Sequence, residues 1–272
     1  MRADAPIGVF DSGVGGLTVA REIMRQIPEE RITYFGDTAR VPYGSKSRET
    51  IVRYSRQIIR FLKTRGVKAI VVACNTASAF ALEELRPEAD IPIIGVVKPG
   101  ARAAASATRN GRIGVIGTEG TIESGIYTQY LQRLCPDAQV VGKACPLFVS
   151  LVEEGWLKDE ITTLVARRYL EELKKSDIDT LILGCTHYPL LRSTVAGIMG
   201  EGVTLVNPAY ETAVSLRTLL RENNLANDGH HKNGENLYEF FVSDAAERFK
   251  RIAKSILPFD IMGIRQIQIE DY

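Results

Sequence analysis

Two near-continuous apolar runs, Ala69-Ile-Val-Val-Ala73 and Thr180-Leu-Ile-Leu-Gly184, do most to restrict how this 272-residue chain folds. A strand covered on one face alternates apolar and polar residues. Runs without that alternation belong to parallel strands covered by helices on both faces. Each run is followed directly by a cysteine, Cys74 in one case and Cys185 in the other. Upstream, Ile7-Gly-Val-Phe-Asp-Ser-Gly13 matches Ile113-Gly-Val-Ile-Gly-Thr-Glu119. Ile7 precedes Cys74 by 67 residues, and Ile113 precedes Cys185 by 72. Matched pairs at nearly equal spacing are the mark of an internal repeat, here of two α/β units.

The segments between these runs fit that plan. Strands are predicted at 7–10, 32–35, 69–73, 91–97, 113–117, 180–184, 203–206 and 238–243. Helices are predicted at 17–27, 49–64, 101–107, 123–134, 159–174, 210–223 and 244–255, with loops at 36–46 and 225–236. Strands alternating with helices give an α/β fold with mainly parallel sheet.

Charge and composition narrow the function. The chain has 34 Lys+Arg against 33 Asp+Glu, so the basic excess of a nucleic-acid binder is missing. No stretch of about 18 apolar residues is present to span a membrane. The opening Met-Arg-Ala-Asp-Ala-Pro6 lacks an apolar signal core, so a cytoplasmic location is expected. The four cysteines, 74, 135, 145 and 185, form no CxxC or Cys/His cluster, so no metal site is expected and thiols are. The stripe Arg53, Arg56, Arg60 and Lys63 reads as a solvated helix face. His230-His231 reads as an exposed loop pair. The run Asp11-Ser-Gly-Val-Gly-Gly16 lacks nucleotide-loop spacing and reads as a turn for close strand–helix packing or anion binding.

Cys74 and Cys185 stand at strand C-termini, the edge where α/β sheets bind ligands. The polar residues after each, Asn75-Thr76 and Thr186-His187, are read as helix starts. Such starts lower a thiol pKa from its ordinary value of about 8.5. Cys135 and Cys145 lack that setting and are read as structural. Two thiols at equivalent positions suit proton transfer at a stereocentre, which needs an acid and a base on opposite faces of one carbon. Thiol–disulfide exchange, and plain binding of a small dicarboxylate, stay open at this point. Ser12, Asn75, Thr76, Thr118, Thr121 and Thr186 are uncharged donors for carboxylates. Asp11, Asp37, Glu153 and His187 are candidate partners for an ammonium group or for the thiols.

Longer motifs carry a resemblance. Gly8-Val-Phe-Asp-Ser-Gly-Val-Gly-Gly-Leu-Thr18, Tyr34-Phe-Gly-Asp-Thr-Ala-Arg-Val-Pro-Tyr-Gly44, Ala73-Cys-Asn-Thr-Ala77 and Leu183-Gly-Cys-Thr-His-Tyr-Pro189 resemble the aspartate/glutamate racemase family, and within it the glutamate racemases. The resemblance implies two pseudo-symmetric α/β domains facing across a cleft, the second inserted in the first: 1–98 plus 208–272, and 99–207. It implies interconversion of L- and D-glutamate without a cofactor, for peptidoglycan synthesis. Cys74 and Cys185 would be the opposed proton donor/acceptors, Cys74 serving D-glutamate and Cys185 L-glutamate. Asp11 and His187 would assist them, with Glu153 near His187. Asp11, Ser12, Tyr43, Gly44, Asn75, Thr76, Thr186 and His187 match substrate-binding positions, joined by Thr118. The expected partner is glutamate, with no nucleic acid and no membrane; a homodimer is left open.

Overall fold

The computed structural model describes residues 2–229 and 237–272. Two parallel sheets form it. The larger holds strands β1 (Ile7–Asp11), β2 (Ile32–Gly36), β3 (Ala69–Val72) and β4 (Ile93–Gly95). The smaller holds β5 (Arg112–Gly117), β6 (Gln139–Ala144), β7 (Thr180–Gly184) and β8 (Thr204–Val206). The chain then returns to the larger sheet with β9 (Tyr238–Val242) and β10 (Arg265–Gln266). The orders are β10-β9-β2-β1-β3-β4 and β6-β5-β7-β8. Within each, the first four strands follow the same sequence, second-first-third-fourth, so the repeat is physical. β1 corresponds to β5 and β3 to β7, the pairing that the motif matches give.

Helices cover both faces of each sheet, which is why the strands read as unbroken apolar runs. In chain order they are α1 (Leu17–Gln26), α2 (Arg48–Thr64), α3 (Asn75–Phe80), α4 (Leu82–Ala89), α5 (Val97–Ala107) and α6 (Glu119–Glu123). There follow α7 (Ile126–Leu134), α8 (Leu147–Glu153), α9 (Glu160–Lys175), α10 (Arg192–Met199), α11 (Pro208–Glu222) and α12 (Ala246–Ala253). Alternate residues of one strand feed different cores. Ile7 and Val9 pack with Leu17, Ile23 and Leu216, whereas Phe10 packs with Ile51, Ile58 and Phe61. Removing one such Ile or Leu to Ala costs about 2–5 kcal/mol. α5 carries the chain from the larger sheet to the smaller, α11 carries it back, and the two pack together.

Several predicted elements are corrected. The helix expected at 123–134 is two, α6 and α7, parted at Gly125, whose φ of 64° an L-residue disfavours. The strand expected at 91–97 shrinks to Ile93–Gly95, and α5 starts at Val97, with Pro99 accommodated in its first turn. β6, α4, α8 and α10 are not among the expected elements, whereas the helix start read at Asn75 is α3. His230 and His231 lie outside the described residues. No helix among the described residues is long and apolar enough to cross a membrane.

Candidate active site

Four strand ends build the site. By the β1–β3 and β5–β7 registers, Ser12 follows β1 beside Cys74 after β3, and Thr118 follows β5 beside Cys185 after β7. These two edges face one another across a cavity of about 170 Å³. Cys74 and Cys185 both line it, with Ser12, Tyr43, Gly44, Asn75, Thr76, Thr118, Thr186, His187 and Glu153. Asp11, expected among them, lies fully buried just behind the Ser12–Gly13 wall and does not line the cavity. Gly13, Val41, Pro42, Val149 and Ser150 also line it. Val149 and Ser150 belong to α8, and no polar or periodic signal in the sequence pointed to them.

Contacts join the two sides around the cavity. Thr18 donates to the Thr186 carbonyl (2.9 Å), and the Tyr127 hydroxyl donates to Asn75 Oδ1 (2.7 Å). Thr76 Oγ1 lies 2.9 Å from Thr118 Oγ1 and 3.2 Å from Thr121 Oγ1. Gly15 explains part of the glycine run. A Cβ there would lie 2.3 Å from Thr186 Oγ1 and 2.5 Å from the His187 ring, so only glycine admits that approach. The run is a packing turn, as read, and Asp11 Oδ2 ties it by accepting from the N–H groups of Gly13 (3.1 Å) and Gly16 (2.9 Å).

The two thiols are equally sealed, at 5 % and 6 % exposure, but differ in company. Cys74 caps α3 with its side chain, accepting from the Ala77 N–H (3.4 Å), and its Sγ lies 3.9 Å from Ser12 Oγ. Burial pushes its thiol up to about 12, and the Asp11 carboxylate adds to the rise. One N–H of a six-residue helix does not offset lost water and a nearby negative charge. The expected lowering of this thiol is thereby corrected. At Cys185 the expected helix start is absent, since a 3₁₀ turn at Tyr188–Leu191 comes first and α10 follows. Its partner is an imidazole: His187 Nδ1 is 3.8 Å from Sγ, and Nε2 is 3.2 Å from Glu153 Oε1. Burial opposes protonation of His187. The hydrogen bonds to Cys185 and Glu153, with the charges of Cys185 and Asp11, outweigh burial and raise it to about 10. The same hydrogen bond holds the Glu153 carboxyl below its ordinary value. Burial raises Asp11, and its Oδ1 has no hydrogen-bond partner among the described residues.

Other candidates are placed elsewhere. Asp37 is engaged by the Tyr43 hydroxyl, by Ser243 Oγ (2.9 Å) and by Arg40 Nε (2.8 Å), so it fixes Tyr43 rather than facing the cavity. Arg56 pairs with Glu88 (2.8 Å) and Lys63 with Asp90 (2.9 Å) on the exposed surface. Cys145 is buried in the core beside Phe148, and all four cysteines are free thiols. Among the described residues no set of three His, Cys, Asp or Glu is grouped to hold a metal.

Two α/β units of one strand order, with a thiol at each matching strand end turned into a shared cavity, define the scaffold of an amino-acid racemase. The model of the Asp/Glu/Hydantoin racemase family matches residues 7–216, and the chain belongs to that family. Among its relatives is a glutamate racemase from Geobacter metallireducens, 50 % identical over 268 residues and covering 97 % of each chain. A crystal structure of glutamate racemase from Francisella tularensis in complex with D-glutamate superposes with a TM-score of 0.92 at 39 % identity, covering 99 % of this chain and 100 % of that one. The Escherichia coli glutamate racemase in complex with L-glutamate gives 0.78 at 29 % identity, covering 96 % and 98 %.

Proposed function

We propose that this chain is a glutamate racemase that interconverts L- and D-glutamate by two opposed bases, Cys74 and Cys185, without a cofactor. The observation that carries this is the shared cavity: both sulfurs line one space from matching strand ends. Relatives that bind D- or L-glutamate support the substrate. Sheet membership supports two units, 1–98 plus 208–272 and 99–207. The D-product is assigned to peptidoglycan synthesis.

One cysteine enters as thiolate and takes the Cα proton; the other, as thiol, returns a proton to the opposite face. The hard step is charge build-up on the substrate, since no cofactor serves as electron sink. Ser12, Asn75, Thr76, Thr118 and Thr186 supply preorganised donors for the substrate carboxylates. One well-placed donor can be worth about 3–4 kcal/mol to the transition state. Asp11 tunes the Cys74 flank and His187 with Glu153 tunes the Cys185 flank.

The test is direct. Purified protein is mixed with L-glutamate in deuterated water, with no cofactor added. Optical rotation should decay to zero while deuterium enters Cα of the product. Persistent rotation, or inversion that retains the original hydrogen, would sink the two-base scheme.

A further inference from the structure

Arg248 belongs to none of the motifs above and lies in the C-terminal stretch that carries little signature. It is presented by α12, whose next residue, Phe249, is buried against Tyr34. The Tyr34 hydroxyl donates to the Gly13 carbonyl at 2.7 Å, so α12 is anchored behind the turn that holds Asp11. From this footing in the larger-sheet half, Arg248 reaches the other half. Its Nη2 donates to Glu153 Oε2 at 3.1 Å, while Glu153 Oε1 lies 3.2 Å from His187 Nε2. The carboxylate is therefore held at both oxygens by partners from opposite sides of the cleft.

Glu153 needs that second partner. It is the last residue of α8, where the helix dipole presents its negative end and disfavours a carboxylate. Its side chain ends in a torsion that rotates readily. A guanidinium at Oε2 offsets the dipole and stops the rotation, leaving Oε1 aimed at His187.

We propose that Arg248 is a positioning residue for the racemisation: it fixes Glu153 on His187 from across the cleft, so the Cys185 flank is complete only when the two halves are together. This rests on the racemase reading given above.

The experiment compares wild type, Arg248→Gln, Arg248→Lys, Glu153→Gln and the Arg248→Gln/Glu153→Gln double variant, with L-glutamate and with D-glutamate. Partners that orient a working imidazole are commonly worth tenfold or more, so Arg248→Gln should lower kcat about tenfold with KM little changed. Arg248→Lys should recover most of the loss, because an ammonium on a long stem still reaches Oε2. In the Glu153→Gln background, Arg248→Gln should change kcat by less than about twofold. The melting temperature should hardly move, since Arg248 is half exposed and such pairs add little stability. A kcat within about twofold of wild type for Arg248→Gln, or a tenfold loss that persists beside Glu153→Gln, overturns the role. Wild-type protein inert toward both enantiomers overturns the racemase reading instead.

Discussion

The Cys74 and Cys185 flanks begin as twins and end as opposites. Both sulfurs stand one residue or two past the third strand of a four-strand unit, equally shielded from water. The first has a backbone N–H and a carboxylate beside it; the second has an imidazole backed by a glutamate. The positions matching His187 and Asp11 are Thr76 and Gly117, neither of which titrates. Duplicated backbone thus supplies the geometry, and the few side chains just past each strand supply the chemistry. A substrate with an ammonium, a carboxylate and a side chain is not itself symmetric, so two unlike flanks are what one pocket needs to hold either hand of it.

The difference is open to attack. Cys74→Ala and Cys185→Ala should each lower racemisation by at least about 10³-fold, in a protein that keeps its circular dichroism. In deuterated water each variant should exchange the Cα hydrogen of one enantiomer alone, D-glutamate for Cys185→Ala and L-glutamate for Cys74→Ala. The same enantiomer in both cases would break the pairing. Next in size is Gly15→Ala. Its methyl would press on Thr186 and His187, and a displacement of that order costs about 10²-fold in rate, seen in kcat.

Stability against pH should separate the flanks by window. His187 binds its proton more tightly in the folded protein, at about 10 against an ordinary 6.5. Its contribution is full below 6.5 and is lost as pH rises through 10. Cys74, raised to about 12, contributes fully below the ordinary thiol range and loses its contribution toward 12. Urea unfolding at stepped pH should show the first decline vanish in His187→Asn and the second in Cys74→Ser, each at up to about 1.4 kcal/mol per pH unit. The smallest expected effect is that of Tyr127→Phe. It frees the Asn75 amide at a cost of about 1 kcal/mol, or roughly fivefold in KM, with kcat preserved. Because enantiomers have equal free energy in water, every variant must show the same kcat/KM in both directions; flank-specific damage appears only in kcat and KM taken separately.

The α/β class, the repeat and the two sulfurs were legible because burial on both faces imposes apolar runs, and because the motifs sit at the turns where those runs end. What escaped notice lacked such a signal. β6 is an edge strand with intermediate or exposed residues throughout, so its Gln139-Val-Val-Gly-Lys-Ala144 shows no buried pattern. α8 is only seven residues long, too short for a helical period to register, yet it brings Val149, Ser150 and Glu153 to the cavity. The direction of the Cys74 shift is hidden from the sequence for a related reason. A helix start is visible in sequence, whereas loss of water and a carboxylate 63 positions upstream are properties of the fold.

The bridges between the two sides have a consequence for catalysis. Thr18 holds Thr186 and Tyr127 holds Asn75, and both donors are buried behind the cavity wall. They act as struts that fix the gap a single carbon has to fill. Loosening them together would widen that gap and slow turnover with every reacting group still in place.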